Sequence, residues 1–220
     1  MPRPILIFDF DGTVALGDGP VRAYARAVAV EAALPESFVD EVIAGFATGQ
    51  DEGAIDAYDL VRVRATAAGA GGDDLARGYA ASRARLASQE APIVPPAGLA
   101  AFLAAVEAER ILVTNAPGVR IPEALAALGL EGLFDRVVVE AGKPEGLAAL
   151  LDELDPDAEV LAVGDIWRND LAPAHERGHA TALVGGYPDP AAEPDFHAAT
   201  LPELLPALSA WVHARARRTP

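Results

Sequence analysis

The sequence predicts an α/β protein with a three-layer, Rossmann-like parallel sheet core and an inserted all-helical cap domain. Apolar runs typical of buried strands alternate with segments of helical periodicity over most of the chain. One long segment near the N-terminus, in contrast, shows only helical periodicity. The chain has 220 residues, of which 51% are hydrophobic and 23% are charged, so it is long enough for one sizeable core and a smaller module.

Five apolar segments predict the strands of the core. They are Pro4–Phe10, Arg110–Asn115, Arg136–Glu140, Val160–Asp165 and Ala180–Val184. Apolar residues recur at helical spacing between the later strands, and a last helix begins near Leu201. Strands that alternate with helices in this way form parallel sheets with helices on both faces. Ligands of such sheets bind at the carboxyl ends of the strands, so functional side chains are expected there.

The segment from residue 16 to residue 94 is expected to form the cap. Apolar side chains at helical spacing, divided by turn signals such as Leu34-Pro35 and Ala70-Gly71-Gly72, predict four helices and no strand. The predicted domains are therefore a core of residues 1–15 and 95–220 and a cap of residues 16–94. Inserted directly after the first strand, the cap is expected to act as a lid that selects the substrate, and the alternative is a purely stabilising subdomain.

The charge balance and the cysteine content exclude several classes of function. The formal net charge is −16 at pH 7, which argues against nucleic acids and acidic membranes as partners, because both need a basic surface. The chain has no cysteine, so disulfides, thiolate metal sites and cysteine nucleophiles are excluded. No leader precedes the first strand and no apolar run approaches membrane length, so we expect a cytoplasmic protein. We also expect a monomer or a homodimer.

The first predicted strand ends in two carboxylates, Asp9 and Asp11, followed by Gly12 and Thr13. Residues two apart in a strand point the same way, so both carboxylates are expected to face one site. Two carboxylates held so close repel each other and attract a divalent cation. Gly12 allows a sharp turn, and the Thr13 hydroxyl can cap that turn or donate a hydrogen bond. Asp-Gly alone is an ordinary turn signal, so the other strand ends decide whether this stretch carries chemistry.

Three other predicted strand ends carry polar residues. Thr114 and Asn115 end the second strand and are good hydrogen-bond donors to phosphate oxygens. Asp165 ends the fourth strand, and Asp170 follows it at the start of a helix. Lys143 follows the third strand and is the only lysine among 17 basic residues. Because a planar guanidinium cannot replace a compact ammonium between two anions, this lone lysine indicates such a position.

In this order, these residues resemble the four motifs of the haloacid dehalogenase superfamily. The motifs are Asp9-Phe10-Asp11-Gly12-Thr13, Thr114-Asn115, Lys143-Pro144 and Gly164-Asp165-x-x-x-Asn169-Asp170. The resemblance covers the whole chain and includes a helical cap inserted after the first motif. Two aspartates separated by one residue resemble the phosphatase and phosphotransferase branch, because the dehalogenases have a different residue at the second position.

The resemblance implies a magnesium-dependent phosphatase that acts on a small phosphorylated metabolite, of the sugar phosphate or phosphoglycolate type. Asp9 would attack phosphorus to form an aspartyl-phosphate, and Asp11 would protonate the leaving oxygen and later activate water. Mg²⁺ would be bound by the Asp9 side chain, the Asp11 carbonyl and Asp165. Asp170 would be either a further metal ligand or a residue that orients the others.

The resemblance also implies how the phosphoryl group is held. Thr13, Thr114 and backbone amides near Gly12 and Asn115 would bind the phosphoryl oxygens. Lys143 would neutralise charge on the nucleophile and on the phosphate, acting as a catalytic residue together with Thr114 and the two aspartates of the first motif.

Two alternative functions remain open at this point. A phosphomutase of the same fold would return the phosphoryl group to a sugar, and a non-catalytic protein would only bind a phosphorylated ligand. By analogy with the family, the cap loop Gly45–Gln50 would contribute to specificity.

The segment His175–His179 matches the zinc-protease pattern, which needs both histidines on one helical face. Gly178 is expected to end that helix, so the two imidazoles would diverge and zinc is not expected.

Overall fold

The core of the protein is a parallel β-sheet. A computed structural model describes residues 3–47, 53–185 and 189–216. Within these residues the sheet has six strands, all parallel, in the order β3-β2-β1-β4-β5-β6. The strands are β1 (Ile5–Phe8), β2 (Glu109–Val113), β3 (Arg136–Val138), β4 (Val160–Gly164), β5 (Ala180–Val184) and β6 (Phe196–Ala198). The predicted α/β fold with a Rossmann-like parallel sheet is therefore confirmed.

The three central strands end at the same edge of the sheet. Phe8 of β1 lies beside Leu112 of β2 and Val163 of β4. All four residues of β1 are buried, as expected for a strand covered on both faces. Because the strands are parallel and in this register, the segments that follow β1, β2 and β4 meet at one edge. Three of the four motifs begin at these strand ends.

Helices accompany the sheet and also form a unit of their own. Those in the described residues are α1 (Gly19–Glu31), α2 (Ser37–Ala47), α3 (Ala57–Ala67), α4 (Gly72–Arg83), α5 (Leu99–Ala105), α6 (Ile121–Ala127), α7 (Glu145–Asp152), α8 (Ala172–His175) and α9 (Leu201–Ala216). Leu147, Leu150 and Leu151 of α7 belong to one buried apolar cluster with Ile7 of β1 and Ile111 of β2. Their spacing puts the three leucines on one face of the helix, so α7 covers the sheet with that face.

The chain divides into two compact units. One contains the sheet and comprises Met1–Leu16, Val94–Gly118 and Leu128–Pro220, and the other comprises Gly17–Ile93 and Val119–Ala127. The second unit therefore includes α6 as well as α1 to α4, whereas the predicted core contained all of residues 95–220. Arg120, just before α6, donates from Nε to the carbonyl oxygen of Leu86 at 2.8 Å, which connects this segment to the helical unit.

Apolar and aromatic side chains form the main buried cluster of the helical unit. Tyr24 of α1, Tyr58 of α3 and Tyr79 of α4 pack against one another with ring centroids 5.6 to 6.3 Å apart. Gly78 lets α4 approach α1 closely, because a Cβ there would lie 2.9 Å from the backbone nitrogen of Val28. The four helices predicted for this segment are present in the structure.

Strand β6 has no counterpart among the predicted strands. It is three residues long, and none of its side chains is fully buried, so no apolar run marks it in the sequence. Asp195 fixes its start by accepting hydrogen bonds from the backbone nitrogen and the Oγ1 of Thr181, at 2.8 and 3.1 Å. The first strand, predicted to extend to Phe10, ends at Phe8 because the chain turns there.

None of the described helices is both long enough and apolar enough to cross a lipid bilayer. The segment Gly45–Gln50 was expected to be a loop that contributes to specificity, but its first three residues belong to α2, and the rest lies outside the described residues.

Candidate active site

Lys143 lies between two carboxylates at the carboxyl edge of the sheet. Its Nζ donates hydrogen bonds to Asp9 Oδ1 at 2.5 Å and to Asp170 Oδ1 at 2.6 Å. The Lys143 side chain is only 4% exposed, and the two carboxylates are buried as well. Asp9 directly follows β1, whereas Lys143 and Asp170 lie on the segments after β3 and β4. Three distant parts of the chain therefore meet at one ammonium group.

The buried charges shift one another's pKa values. Burial alone would lower the pKa of Lys143, but the carboxylates of Asp9 and Asp170 outweigh it and hold that pKa above its usual range. Burial raises the pKa of Asp9 to about 7, against the opposing effect of the Lys143 ammonium. Burial, together with the charges of Asp9 and Asp170, raises the pKa of Asp165 well above its ordinary value. The cluster thus contains more negative charge than one ammonium balances.

Three carboxylates are close enough to share a cation. Within the part of the chain that the structure describes, Asp9, Asp165 and Asp170 each offer one oxygen, and these oxygens lie within 4.8 Å of one another. Asp9 Oδ2 is buried and accepts no hydrogen bond from the described residues, which is costly unless a cation or a donor lies beside it. Carboxylate oxygens are the ligands that Mg²⁺ prefers. The residues present therefore fit a magnesium ion, which Asp9 and Asp165 would hold.

Both oxygens of Asp170 already accept hydrogen bonds. Oδ1 accepts from Lys143 Nζ, and Oδ2 accepts from the backbone nitrogen of Ile166 at 3.0 Å. A π-helical turn, Trp167–Leu171, follows β4 and carries Asp170. Gly164 makes room for this turn, because a side chain there would overlap Asp170. These contacts hold the Asp170 carboxylate beside the Lys143 ammonium, and the two roles that the sequence leaves open for it, metal ligand or orienting residue, stay predictions.

The chain turns sharply after Asp9. Gly12 has a φ of +90° and donates its N–H to the carbonyl oxygen of Ala15 at 3.0 Å. A side chain at Gly12 would also overlap the Asp165 carboxylate, so this position needs glycine for both its conformation and its size. Thr13 Oγ1 lies 3.5 Å from Asp165 Oδ1. Asp11 is partly exposed, and its carboxylate is not among the three described carboxylates that could share a cation.

Thr114 and Asn115 follow β2, and their side chains make different contacts. Thr114 is buried, and its Oγ1 accepts a hydrogen bond from the backbone nitrogen of Ala116 at 3.0 Å, which leaves the hydroxyl proton to be donated. Asn115 Oδ1 accepts from the backbone nitrogen of Lys143 at 2.7 Å, and Asn115 Nδ2 lies 3.4 Å from the Lys143 carbonyl oxygen. From the sequence, Asn115 was expected only near the phosphate.

Sequence reasoning missed Gly146, and it placed Gly164 in the fourth motif without a reason for glycine there. A side chain at Gly146 would overlap the carbonyl oxygen of Ala141, and one at Gly164 would overlap Asp170. Gly146 closes the loop that carries Lys143, and Gly164 ends β4 just before Asp165. The only signal for Gly146 was its position shortly after Lys143-Pro144, where glycine more commonly indicates a simple turn.

The two histidines of the zinc-protease pattern lie on different elements of the fold. Helix α8 ends at His175, Gly178 has a φ of +76°, and His179 lies just before β5. The helix therefore ends before Gly178 and does not reach His179. Among the described residues, the group of side chains that could hold a metal consists of the three aspartates alone.

Comparison with known proteins identifies similar sequences and folds. The family model of the haloacid dehalogenase-like hydrolases matches residues 4–178. A predicted phosphoglycolate phosphatase from Haemophilus somnus has a TM-score of 0.67 and 19% identity, with 94% of this chain and 98% of that chain covered. A HAD hydrolase from Bacillus subtilis bound to magnesium has a TM-score of 0.62 and 18% identity, with coverage of 94% and 99%. A 2-haloacid dehalogenase from Pseudomonas syringae has a TM-score of 0.57 and 18% identity, with coverage of 95% and 99%. No curated protein sequence matches significantly.

Proposed function

Because the chain belongs to the haloacid dehalogenase-like hydrolases, we propose that it is a magnesium-dependent phosphatase of a small phosphorylated metabolite. The observation that carries this proposal is the buried cluster in which Lys143 lies between Asp9 and Asp170, with Asp165 close by. The cluster offers a carboxylate nucleophile, a fixed positive charge and ligands for a divalent cation. Phosphoryl transfer depends mainly on such positioning and electrostatic stabilisation.

Asp9 is the proposed nucleophile. One of its carboxylate oxygens attacks phosphorus, the bond from phosphorus to the leaving oxygen breaks, and an aspartyl-phosphate forms. Asp11 gives a proton to the leaving oxygen in this step. Asp11 then takes a proton from a water molecule, which attacks phosphorus and releases inorganic phosphate. Asp9 is regenerated as a carboxylate, so the cycle closes with one water consumed.

Positive charge and hydrogen-bond donors would stabilise the phosphoryl group during both steps. Lys143 neutralises charge at Asp9 and at the phosphoryl oxygens, and the Thr114 hydroxyl donates a hydrogen bond. Backbone N–H groups after β1 and β2 are further donors. Mg²⁺ held by Asp9, Asp165 and the Asp11 carbonyl would supply the remaining positive charge toward the phosphoryl oxygens.

The second aspartate supports a phosphatase over a dehalogenase. A halide leaves without taking up a proton, whereas the oxygen of a phosphate ester leaves more easily when it is protonated. Asp11, two residues after Asp9, can provide that proton. The similar Haemophilus somnus protein, a predicted phosphoglycolate phosphatase, supports the phosphoglycolate type among the two proposed substrate types.

A panel of phosphate esters tests the function, with 2-haloacids included for comparison. We expect Mg²⁺-dependent release of inorganic phosphate from a sugar phosphate or from phosphoglycolate, and its loss when EDTA is added. Release of halide from the haloacids, or no phosphate release from any ester, would contradict the proposal. Conversion of a sugar phosphate to its isomer without free phosphate would instead identify a phosphomutase.

Variants of the two aspartates test the assigned roles. Asp9→Asn removes the nucleophile and should abolish turnover, whereas Asp11→Asn should lower kcat by about 10²–10⁴-fold, the usual size of acid–base catalysis. Asp157→Asn, at an exposed position, is the matched control and should keep the parent rate. Normal Mg²⁺-dependent turnover by Asp9→Asn would show that another group attacks phosphorus.

A further inference from the structure

We propose that Asn115 is a positioning residue whose side-chain amide holds the main chain at Lys143 and thereby places the ammonium between Asp9 and Asp170. The inference rests on the proposed phosphatase function, in which that ammonium acts on the nucleophile and the phosphoryl group. It gives the Asn115 side chain a role separate from any contact between its backbone and the phosphate.

The contact between Asn115 and Lys143 continues the pairing of β2 and β3 beyond the two strands. Backbone hydrogen bonds first extend this pairing: Thr114 N to Val138 O at 2.9 Å, Glu140 N to Ala116 O at 2.9 Å, and Ala141 N to Thr114 O at 3.0 Å. At Lys143 the partner changes from backbone to side chain. Its N–H donates to Asn115 Oδ1 at 2.7 Å, while Asn115 Nδ2 approaches its carbonyl oxygen at 3.4 Å.

A side chain is needed here because the backbone before Lys143 leaves the β conformation. Glu140 has a φ of +50° and Gly142 a φ of +66°, so the chain departs from the direction of β3. Gly146 brings the loop back so closely to Ala141 that a side chain there would overlap the Ala141 carbonyl. A regular backbone ladder cannot follow this path. A primary amide has both a donor and an acceptor, so it can bind the N–H and the C=O of one residue.

The position of the Lys143 backbone decides whether its ammonium reaches both carboxylates. Nζ lies 2.5 Å from Asp9 Oδ1 and 2.6 Å from Asp170 Oδ1, so a shift of the loop lengthens at least one contact. A displacement of about 1 Å at a catalytic group can cost about 10²-fold in rate. No other lysine in the chain can take over the role.

The single lysine makes the proposal measurable without any substrate. In protein labelled with ¹³C,¹⁵N-lysine, every lysine NMR signal comes from Lys143. Asn115→Ala should move the side-chain signals of Lys143 toward those of a solvent-exposed lysine. Asn115→Asp keeps the acceptor for the Lys143 N–H, so its signals should stay near those of the parent. If Asn115→Ala fails to fold, Asn115→Ser, whose polar side chain is still shorter than that of asparagine, replaces it.

Asn169→Ala is the matched control for this comparison. Asn169 is the other asparagine of the chain and lies beside Asp170, yet its side chain makes no hydrogen bond to the described residues. Its removal should leave the Lys143 signals unchanged. Unchanged signals in Asn115→Ala, or an equal shift in Asn169→Ala, would overturn the positioning role.

Kinetics separate a role through Lys143 from a direct contact with the substrate. Asn115→Ala should lower kcat about 10- to 100-fold with a smaller effect on KM. In a Lys143→Arg background, the same change should cost no more than about twofold, because the geometry that it protects is already lost. A full loss in that background would overturn the inference. If the unmutated protein hydrolyses no ester, the proposed function fails, whereas the NMR comparison still tests the Asn115 contact.

Discussion

At the scale of single residues, the site depends on placing one compact cation between two buried carboxylates. The chain otherwise uses arginine for its side chains of permanent positive charge, yet it has lysine at position 143. An ammonium presents a point charge with three donors, and two of these reach Asp9 and Asp170. A guanidinium is larger and planar, so it cannot occupy the same enclosed position without moving one of the carboxylates.

Lys143→Arg should therefore lower kcat by at least about 10²-fold, although the charge is retained. Initial rates of phosphate release, measured on protein with a parent-like circular dichroism spectrum, check this. Arg136→Lys is the reciprocal control. Arg136 is 47% exposed and its ion pair with Glu153 is long, at 4.0 Å, so this variant should be fully active. A Lys143→Arg enzyme with near-normal turnover would show that only the charge matters.

At the scale of strands and helices, the sequence predicted the elements that have a strong local signal. The runs that form β1 and β4 are apolar throughout, and β2 is apolar and buried over its last three residues, because the centre of the sheet is covered on both faces. Strand β6 escaped prediction because its three residues lack such a run, and its start depends on the contact between Asp195 and Thr181. Short elements fixed by tertiary contacts leave little local pattern to detect.

The same distinction applies to the candidate site. Asp9, Thr114, Lys143 and Asp165 were predicted from residue type and from their positions after strands. The contact of Asn115 with the Lys143 backbone joins residues 28 apart in sequence, and no pattern indicates it. The contact of Asp170 with Lys143 likewise joins residues 27 apart in sequence, and the hydrogen bond that Asp170 accepts from the backbone nitrogen of Ile166 is visible only in the fold.

An ion pair at the opposite end of β2 from the site connects this strand to the segment before β3. Arg110 donates from Nε and Nη2 to the two carboxylate oxygens of Asp135, both at 2.8 Å. These hydrogen bonds lower the pKa of Asp135 from 3.8 to about 2. The folded state thus favours the ionised carboxylate. Its contribution to stability is present above the unfolded pKa and is lost as the pH falls through the folded pKa.

Asp135→Asn should lower the free energy of unfolding at neutral pH by about 1 kcal/mol, since solvent screens this partly exposed pair. The difference from the parent should shrink as the pH falls from about 4 toward 2, where the parent carboxylate becomes protonated. Urea unfolding of both proteins across this pH range measures the difference in their free energies of unfolding. Asp157→Asn, with no ion pair among the described residues, should show no such trend. An equal difference at about pH 3 and at neutral pH would rule out ionisation as its cause.

At the scale of the whole molecule, the strongly negative charge sets the conditions under which the site must work. With a formal net charge of −16, the protein repels an anionic substrate at long range. Binding therefore depends on local positive charge, and Lys143 alone does not balance the nearby aspartates. A divalent cation would both offset this imbalance and attract a phosphate, so metal binding and substrate binding are expected to be linked.

Mg²⁺ should consequently stabilise the folded protein even without substrate. At about 100 times its Kd, a ligand specific for the folded state adds about 2.7 kcal/mol, which corresponds to a rise in Tm of several degrees for a chain of this size. Because added salt also screens the −16 charge, NaCl at equal ionic strength is the necessary reference.

Asp165→Asn should lose most of the Mg²⁺-specific rise in Tm, whereas Asp157→Asn should keep it. Without the metal, Asp165→Asn should melt no lower than the parent, because it removes a carboxylate whose raised pKa reports burial and repulsion. An undiminished Mg²⁺ effect in Asp165→Asn would place the metal elsewhere.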